Sequence, residues 1–159
     1  MPTVTLDTNV LPADDLRTAL EPKGFEFAIV SVTERELGSS DLRAELQHLG
    51  TVPETGVWDE SLYGQGLYGS VEGDNRLERL LQIITNNSFP KNRASLTPKQ
   101  RRQLRDAMIL YAHIREGREV FVTNDARAFV DHGRRETLQS EFPTQIMTRE
   151  EFATLYLDA

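Results

Sequence analysis

The sequence predicts an α/β fold, a mostly parallel sheet enclosed between two helical layers. Three observations carry that expectation. Short β-prone runs alternate with helix-forming segments along most of the chain, the pattern that builds parallel sheets. The run Phe27-Ala28-Ile29-Val30 is almost continuously apolar, which suits a strand covered on both faces. Two further runs, Val4-Thr5-Leu6 and Val120-Phe121-Val122, stop in small polar and acidic residues, Asp7-Thr8-Asn9 and Thr123-Asn124-Asp125. Such endings belong to the carboxyl edge of a sheet, where α/β folds place their sites.

Each element has its own local reason. Val4-Thr5-Leu6 is the first strand, and Ala13 to Leu20 reads as a helix with Leu16, Ala19 and Leu20 on one face. Pro22-Lys23-Gly24 breaks it. After the second strand, Ser31 or Thr33 caps a helix through Leu37, and a further helical stretch reaches Leu46. Leu49 to Asp74 is the least regular segment, with Trp58, Tyr63 and Tyr68 set among many glycines. It offers an edge strand over Thr55 to Trp58 and otherwise reads as loop or broken helix. The whole stretch suits either a connection pinned by aromatics or a substrate- or dimer-facing flap, and the role of its Gly- and Tyr-rich part, 61–73, stays open. Asn75 to Thr85 is an amphipathic helix with Leu77, Leu80, Leu81 and Ile84 at helical spacing. Thr97-Pro98 starts a helix that should reach Glu116 and stop at Gly117. Strand 120–122 leads to a short helix from Ala126 to Val130. Gln145-Ile146-Met147 is the last strand, and Thr148-x-x-Glu151 is a capping box for the final helix. At 159 residues, with no repeat or linker, a single domain spanning 1–159 is expected.

Composition narrows function by exclusion. The absence of cysteine rules out disulfides, thiolate metal sites and a cysteine nucleophile. No apolar run approaches the ~18 residues of a membrane span, and the N-terminus lacks the pattern of a signal peptide. A cytoplasmic protein without membrane contacts is therefore expected. The net charge of −7 argues against indiscriminate polyanion binding. It is unevenly spread: −9 over residues 1–90, +6 over 91–118 and −4 over 119–159. No P-loop and no Gly-x-Ser-x-Gly elbow is present. His48, His113 and His132 show no metal spacing; His113 reads as a helix-surface or rim residue and His132 as a loop residue.

Four acids fall where such a fold can gather them. Asp7 and Asp125 end strands that point to the same sheet edge, and Glu36 lies early in the helix after the second strand. Asp106 sits at the rim of an apolar arc formed by Leu104, Ala107, Met108, Leu110, Tyr111 and Ile114. An acid there is partly desolvated and needs a partner. Mg²⁺ or Mn²⁺ suits clustered carboxylates, polarises a phosphoryl oxygen and lowers the pKa of a bound water. Single-residue alternatives stay open: Asp7 and Asp125 also suit helix caps, and Glu36 competes with Glu34 as a first-turn acid.

These same residues resemble the motifs of the PIN-domain family. Leu6-Asp7-Thr8-Asn9-Val10 is similar to its first motif. Val30-Ser31-Val32-Thr33-Glu34-Arg35-Glu36-Leu37 resembles its strand-then-helix motif, and selects Glu36. Arg105-Asp106-Ala107-Met108-Ile109 resembles the third motif, and Val122-Thr123-Asn124-Asp125-Ala126-Arg127-Ala128-Phe129 the fourth. Ile146 to Phe152 is similar to the family's last strand and helix. The resemblance implies a three-layer α/β/α sandwich with a central parallel sheet of four or five strands. It implies a metal-dependent ribonuclease in which Asp7, Glu36, Asp106 and Asp125 hold Mg²⁺ or Mn²⁺ and carry catalysis. Many family members are VapC-type toxins, which implies an antitoxin protein and a second copy of the chain as partners besides RNA.

Asn9, Thr123 and Asn124 are candidates for orienting the carboxylates or water, although Asn124 also suits a turn. Lys91, Arg93, Lys99, Arg101, Arg102 and Arg105 precede or adjoin Asp106 and could hold RNA phosphates, or form a solvated helix surface. Trp58, Tyr63 and Tyr68 suit base stacking or packing equally. Two rival functions remain. One is a PIN-like RNA- or protein-binding module with weak catalysis. The other is a Mg²⁺-dependent phosphohydrolase for small esters, against which Asn9 stands where an Asp-x-Asp motif needs its second acid.

Overall fold

A computed structural model describes residues 2–30, 49–52, 54–56, 66–68, 71–90 and 96–157. The helical segment expected between Ser31 and Leu46 lies outside them. Elements are numbered here in chain order among the described residues. They are β1 (Thr3–Leu6), α1 (Asp14–Leu20), β2 (Glu26–Val30), β3 (Gly50–Val52), β4 (Glu54–Gly56), β5 (Gly66–Tyr68), α2 (Val71–Ile84), α3 (Pro98–Arg115), β6 (Val120–Val122), α4 (Ala126–Phe129), α5 (Arg134–Glu141), β7 (Gln145–Met147) and α6 (Arg149–Tyr156). Single 3₁₀ turns occupy Thr8–Val10, Glu21–Lys23 and Asp131–Gly133.

The central sheet has five parallel strands in the order β3-β2-β1-β6-β7. Alternation along the strands divides the core into two layers. Phe27 and Ile29 of β2, with Val120 and Val122 of β6, face Leu16 and Leu20 of α1 and Phe152 of α6. Ala28, Val30 and Phe121 face the opposite layer, with Leu77, Leu80 and Leu81 of α2, Leu104 to Ile114 of α3, Phe129 of α4 and Leu138 of α5. A sheet covered on both faces is what the apolar run 27–30 required. The result is a three-layer α/β/α sandwich, as the sequence predicts.

Helix ends follow local chemistry. Thr97 accepts a hydrogen bond from the Gln100 amide while Gln100 reaches back to the Thr97 amide, a complete capping box ahead of Pro98. Thr148 and Glu151 repeat the arrangement on α6. Gly117, at φ 66°, turns the chain out of α3 in a conformation that glycine adopts without strain.

Five expectations need correction. β3 supplies a fifth strand where irregular chain was read, pairing Ala28 with Gly50 and Val30 with Val52. β5 pairs in parallel with β4 in a separate two-stranded sheet, also within the expected loop. α2 begins at Val71, not Asn75, and α5 was not anticipated. Finally, His113 is not at a rim but fully buried, at 0% exposure. Its Nδ1 meets the Thr5 hydroxyl at 2.7 Å and its Nε2 the Thr144 hydroxyl at 2.8 Å. Arg118 donates through Nε to the Thr5 hydroxyl at 3.0 Å and through Nη2 to the Val4 carbonyl at 2.8 Å. Burial, reinforced by the Arg118 charge, pushes the His113 pKa down to about 3, so the ring is neutral.

Candidate functional site

Sheet order fixes where a site belongs. From β1 the chain builds outward through β2 and β3, then returns to place β6 and β7 on the other side of β1. The connections after β1 and β6 therefore diverge, and the crevice beyond their carboxyl ends is the topological switch point. Leu6 pairs with Val122 as the strands finish, and the Asp7 amide donates to the Val122 carbonyl at 2.9 Å. Asp7 and Thr123 thus emerge side by side.

The two residues are directly bonded. The Thr123 hydroxyl, itself fully buried, donates to Asp7 Oδ2 at 2.7 Å. The Thr123 hydroxyl oxygen in turn accepts the Asp125 amide at 3.0 Å. Asp7 Oδ1 accepts the Thr8 amide at 2.8 Å, so a carboxylate only 4% exposed has both oxygens partnered. Asp125 caps α4, accepting the Ala128 amide at 3.1 Å. Both acids are therefore caps as well as site candidates.

Asn9 and Asn124 bind each other: the Asn124 amide donates to Asn9 Oδ1 at 2.9 Å. The Arg149 amide donates to Asn124 Oδ1 at 3.3 Å. The Arg149 guanidinium donates to the Val10 and Pro12 carbonyls, both at 2.6 Å, and to the Asp15 carboxylate. This network ties the loops after β1 and β6 to the start of α6, and so fixes the backbone that carries Asp7 and Asp125.

α3 closes the site from the other core layer. Lys99, Arg102, Gln103 and Asp106 stand at i, i+3, i+4 and i+7, one helical stripe, and all four line a cleft of about 740 Å³. Asp7, Thr8, Asn9 and Asp125 line the same cleft, as do Ile84, Arg127, Ala128, Asp131, His132 and Arg134. Three of the four predicted acids, from three separate parts of the chain, thus share one cleft. The fourth, Glu36, lies outside the described residues, as do Lys91, Arg93, Trp58 and Tyr63. Of the described basic candidates, Lys99 and Arg102 line the cleft, whereas Arg101 and Arg105 are not among its lining residues. Arg127, Asp131, His132 and Arg134 were not anticipated as site residues. Arg127 lies within the fourth motif, and the other three come from the turn and helix after it, where no local pattern marks them.

Neither a protein-family model nor a curated protein sequence matches this chain. Among solved structures it is similar to VapBC2 from Rickettsia felis, determined bound to a DNA fragment from their promoter. The identity is 14% and the TM-score 0.44, over 92% of this chain and 98% of that one. At that TM-score the likeness decides neither family nor activity. Function has to be read from the cleft's own residues.

A divalent cation can be tested against those residues. Carboxylate oxygens are the donors that Mg²⁺ and Mn²⁺ prefer, and Mg²⁺ takes as few as one or two carboxylates while keeping several waters. The donor type fits. Among the described residues, however, no three His, Asp or Glu side chains are grouped closely enough to enclose an ion. Among the described residues, too, no helix is long and apolar enough to cross a membrane.

Proposed function

We propose that this protein is a Mg²⁺- or Mn²⁺-dependent endoribonuclease. In this reading RNA phosphodiester bonds are hydrolysed at Asp7, Asp106, Asp125 and Glu36, and the protein is the toxin of a toxin–antitoxin pair. One observation supports the reading most. Acids far apart in sequence, each in a PIN-like motif, line one cleft at the switch point, and that cleft also carries Lys99 and Arg102.

In this reading Asp7, Asp106, Asp125 and Glu36 are the donors to the cation, one or two of them directly and the others through its waters, since no three described side chains are grouped closely enough to enclose it. When bound, the cation supplies charge neutralisation, polarisation of a phosphoryl oxygen and acidification of a water. Thr123 joins the Asp7 carboxylate to the backbone of Asp125, which orients the first acid and anchors the second. The Asn9–Asn124–Arg149 network holds the loops that present them. Lys99 and Arg102 supply affinity for phosphates without reading bases.

The direct test is expression of wild type and Asp7→Asn in cells, with sequencing of cleaved RNA ends. Wild type should generate new ends at defined sites, and Asp7→Asn should not. Identical end profiles would count against the reading. A second reading, a PIN-like binding module without useful catalysis, is favoured by the lack of a three-donor group among the described residues. RNA binding that neither needs metal nor leads to cleavage would select it.

A further inference from the structure

The surface cations of the described residues differ in whether a carboxylate meets them. Arg17, Arg79, Arg115, Arg135 and Arg149 each meet a carboxylate at ion-pair distance. Arg127 and Arg134 line the cleft and meet none among the described residues, although Asp125 and Asp131 share that cleft. Arg134 is half-buried. Its Nη1 donates to the Arg127 carbonyl at 2.7 Å, and its Nε points to the Ile83 carbonyl at 3.4 Å. Neutral carbonyls hold the plane of the guanidinium without cancelling its charge. Among the described residues Nη2 has no acceptor, which leaves its N–H donors for a ligand. A cation anchored in this way has lost its side-chain freedom before any ligand arrives, and the planar fork matches two oxygens of one phosphate. The Arg127 side chain is exposed and adds a second charge beside it.

We propose that Arg134 and Arg127 form a phosphate-binding subsite, which takes a backbone phosphate of RNA and positions the strand beside Asp106 and Asp125. The inference rests on the ribonuclease reading and deepens it. Lys99 and Arg102 approach the strand from α3; Arg127 and Arg134 approach it from α4 and α5.

The test is fluorescence anisotropy with a 5′-labelled single-stranded RNA oligonucleotide, in EDTA, over a salt series. Arg127→Gln removes a side chain that meets no hydrogen-bond or ion-pair partner among the described residues. Arg134→Lys keeps the charge but not the fork, and thermal melting checks its fold. Arg135→Gln, whose arginine is paired with Glu151, is the control. Arg127→Gln and Arg134→Lys should each weaken binding about tenfold at low salt, and the salt slope should fall by about 0.7 for the Arg127 variant. Arg135→Gln should bind as wild type. In cleavage assays with Mg²⁺, Arg134→Lys should raise KM more than it lowers kcat. If both cleft variants keep wild-type affinity and slope, the subsite is overturned while the nuclease reading stands. A wild type that neither binds nor cleaves RNA overturns both.

Discussion

Replacing Thr123 with valine tests how the acids are held. The side chain keeps its shape and loses only the hydroxyl, so packing at a fully buried position is preserved. Two bonds disappear. The hydroxyl's 2.7 Å bond to Asp7 Oδ2 is charge-assisted and contributes about 2 kcal/mol. The half-buried Asp125 amide loses its acceptor, which costs about 1 kcal/mol more. A loss of about 3 kcal/mol leaves most domains folded, since total stability is typically about 5–15 kcal/mol. In urea it should lower the unfolding midpoint by about 1–3 M. The functional effect should be separate: with one of the Asp7 carboxylate's partners gone, the Mg²⁺ needed for half-maximal cleavage should rise about 10–100-fold. Urea unfolding by circular dichroism and a Mg²⁺ titration of cleavage measure the two. A midpoint and a Mg²⁺ requirement both equal to wild type would refute the idea that Thr123 joins the two acids.

Other predictions follow from the same geometry. Arg102→Glu should weaken RNA binding more than Arg101→Glu, because Arg102 lines the cleft and Arg101 is not among its lining residues; equal losses in a filter-binding assay would place the strand elsewhere. His113 should make stability fall on acidification. The unfolded ring takes its proton near 6.5 and the folded ring only near 3, so the contribution is complete above 6.5 and declines below it. From about pH 8 to about pH 5.5 the decline should be about 1.4 kcal/mol. His113→Gln should remove it, and a pH-independent difference between wild type and variant would contradict a buried neutral ring. Leu110→Ala, at a fully buried position of α3, should cost about 2–5 kcal/mol in chemical denaturation; a loss under about 1 kcal/mol would mean that this face is not packed as described.

Much of the fold was legible because strand and helix signals are local. The run 27–30, the leucine stripe of α2, Thr97-Pro98 and Thr148-x-x-Glu151 each state their own structure, and each appears where expected. β3 was not legible: Gly50-Thr51-Val52 is too short for a period, and only pairing with β2 makes it a strand. α5 hid for a related reason, since Arg134–Glu141 buries Leu138 and little else. His113 was misplaced because its partners, Thr5 and Thr144, come from distant segments, and nothing near it in sequence announces two hydroxyls. For the site, strand-end acids and the rim position of Asp106 were enough to nominate the described acids. Arg127 and Arg134 were invisible because a cation that lines a cleft differs from any other surface cation only in three dimensions.

The central claim is that carboxylates gathered at the switch point make a metal-dependent ribonuclease. The most direct measurement is cleavage of a defined RNA by purified wild type and Asp106→Asn, with Mg²⁺ or Mn²⁺ and with EDTA, at matched thermal stability. Wild type should cleave only with metal, and Asp106→Asn should lose cleavage while keeping its fold. Cleavage by Asp106→Asn at the wild-type rate, or none by wild type with either metal, would contradict the claim.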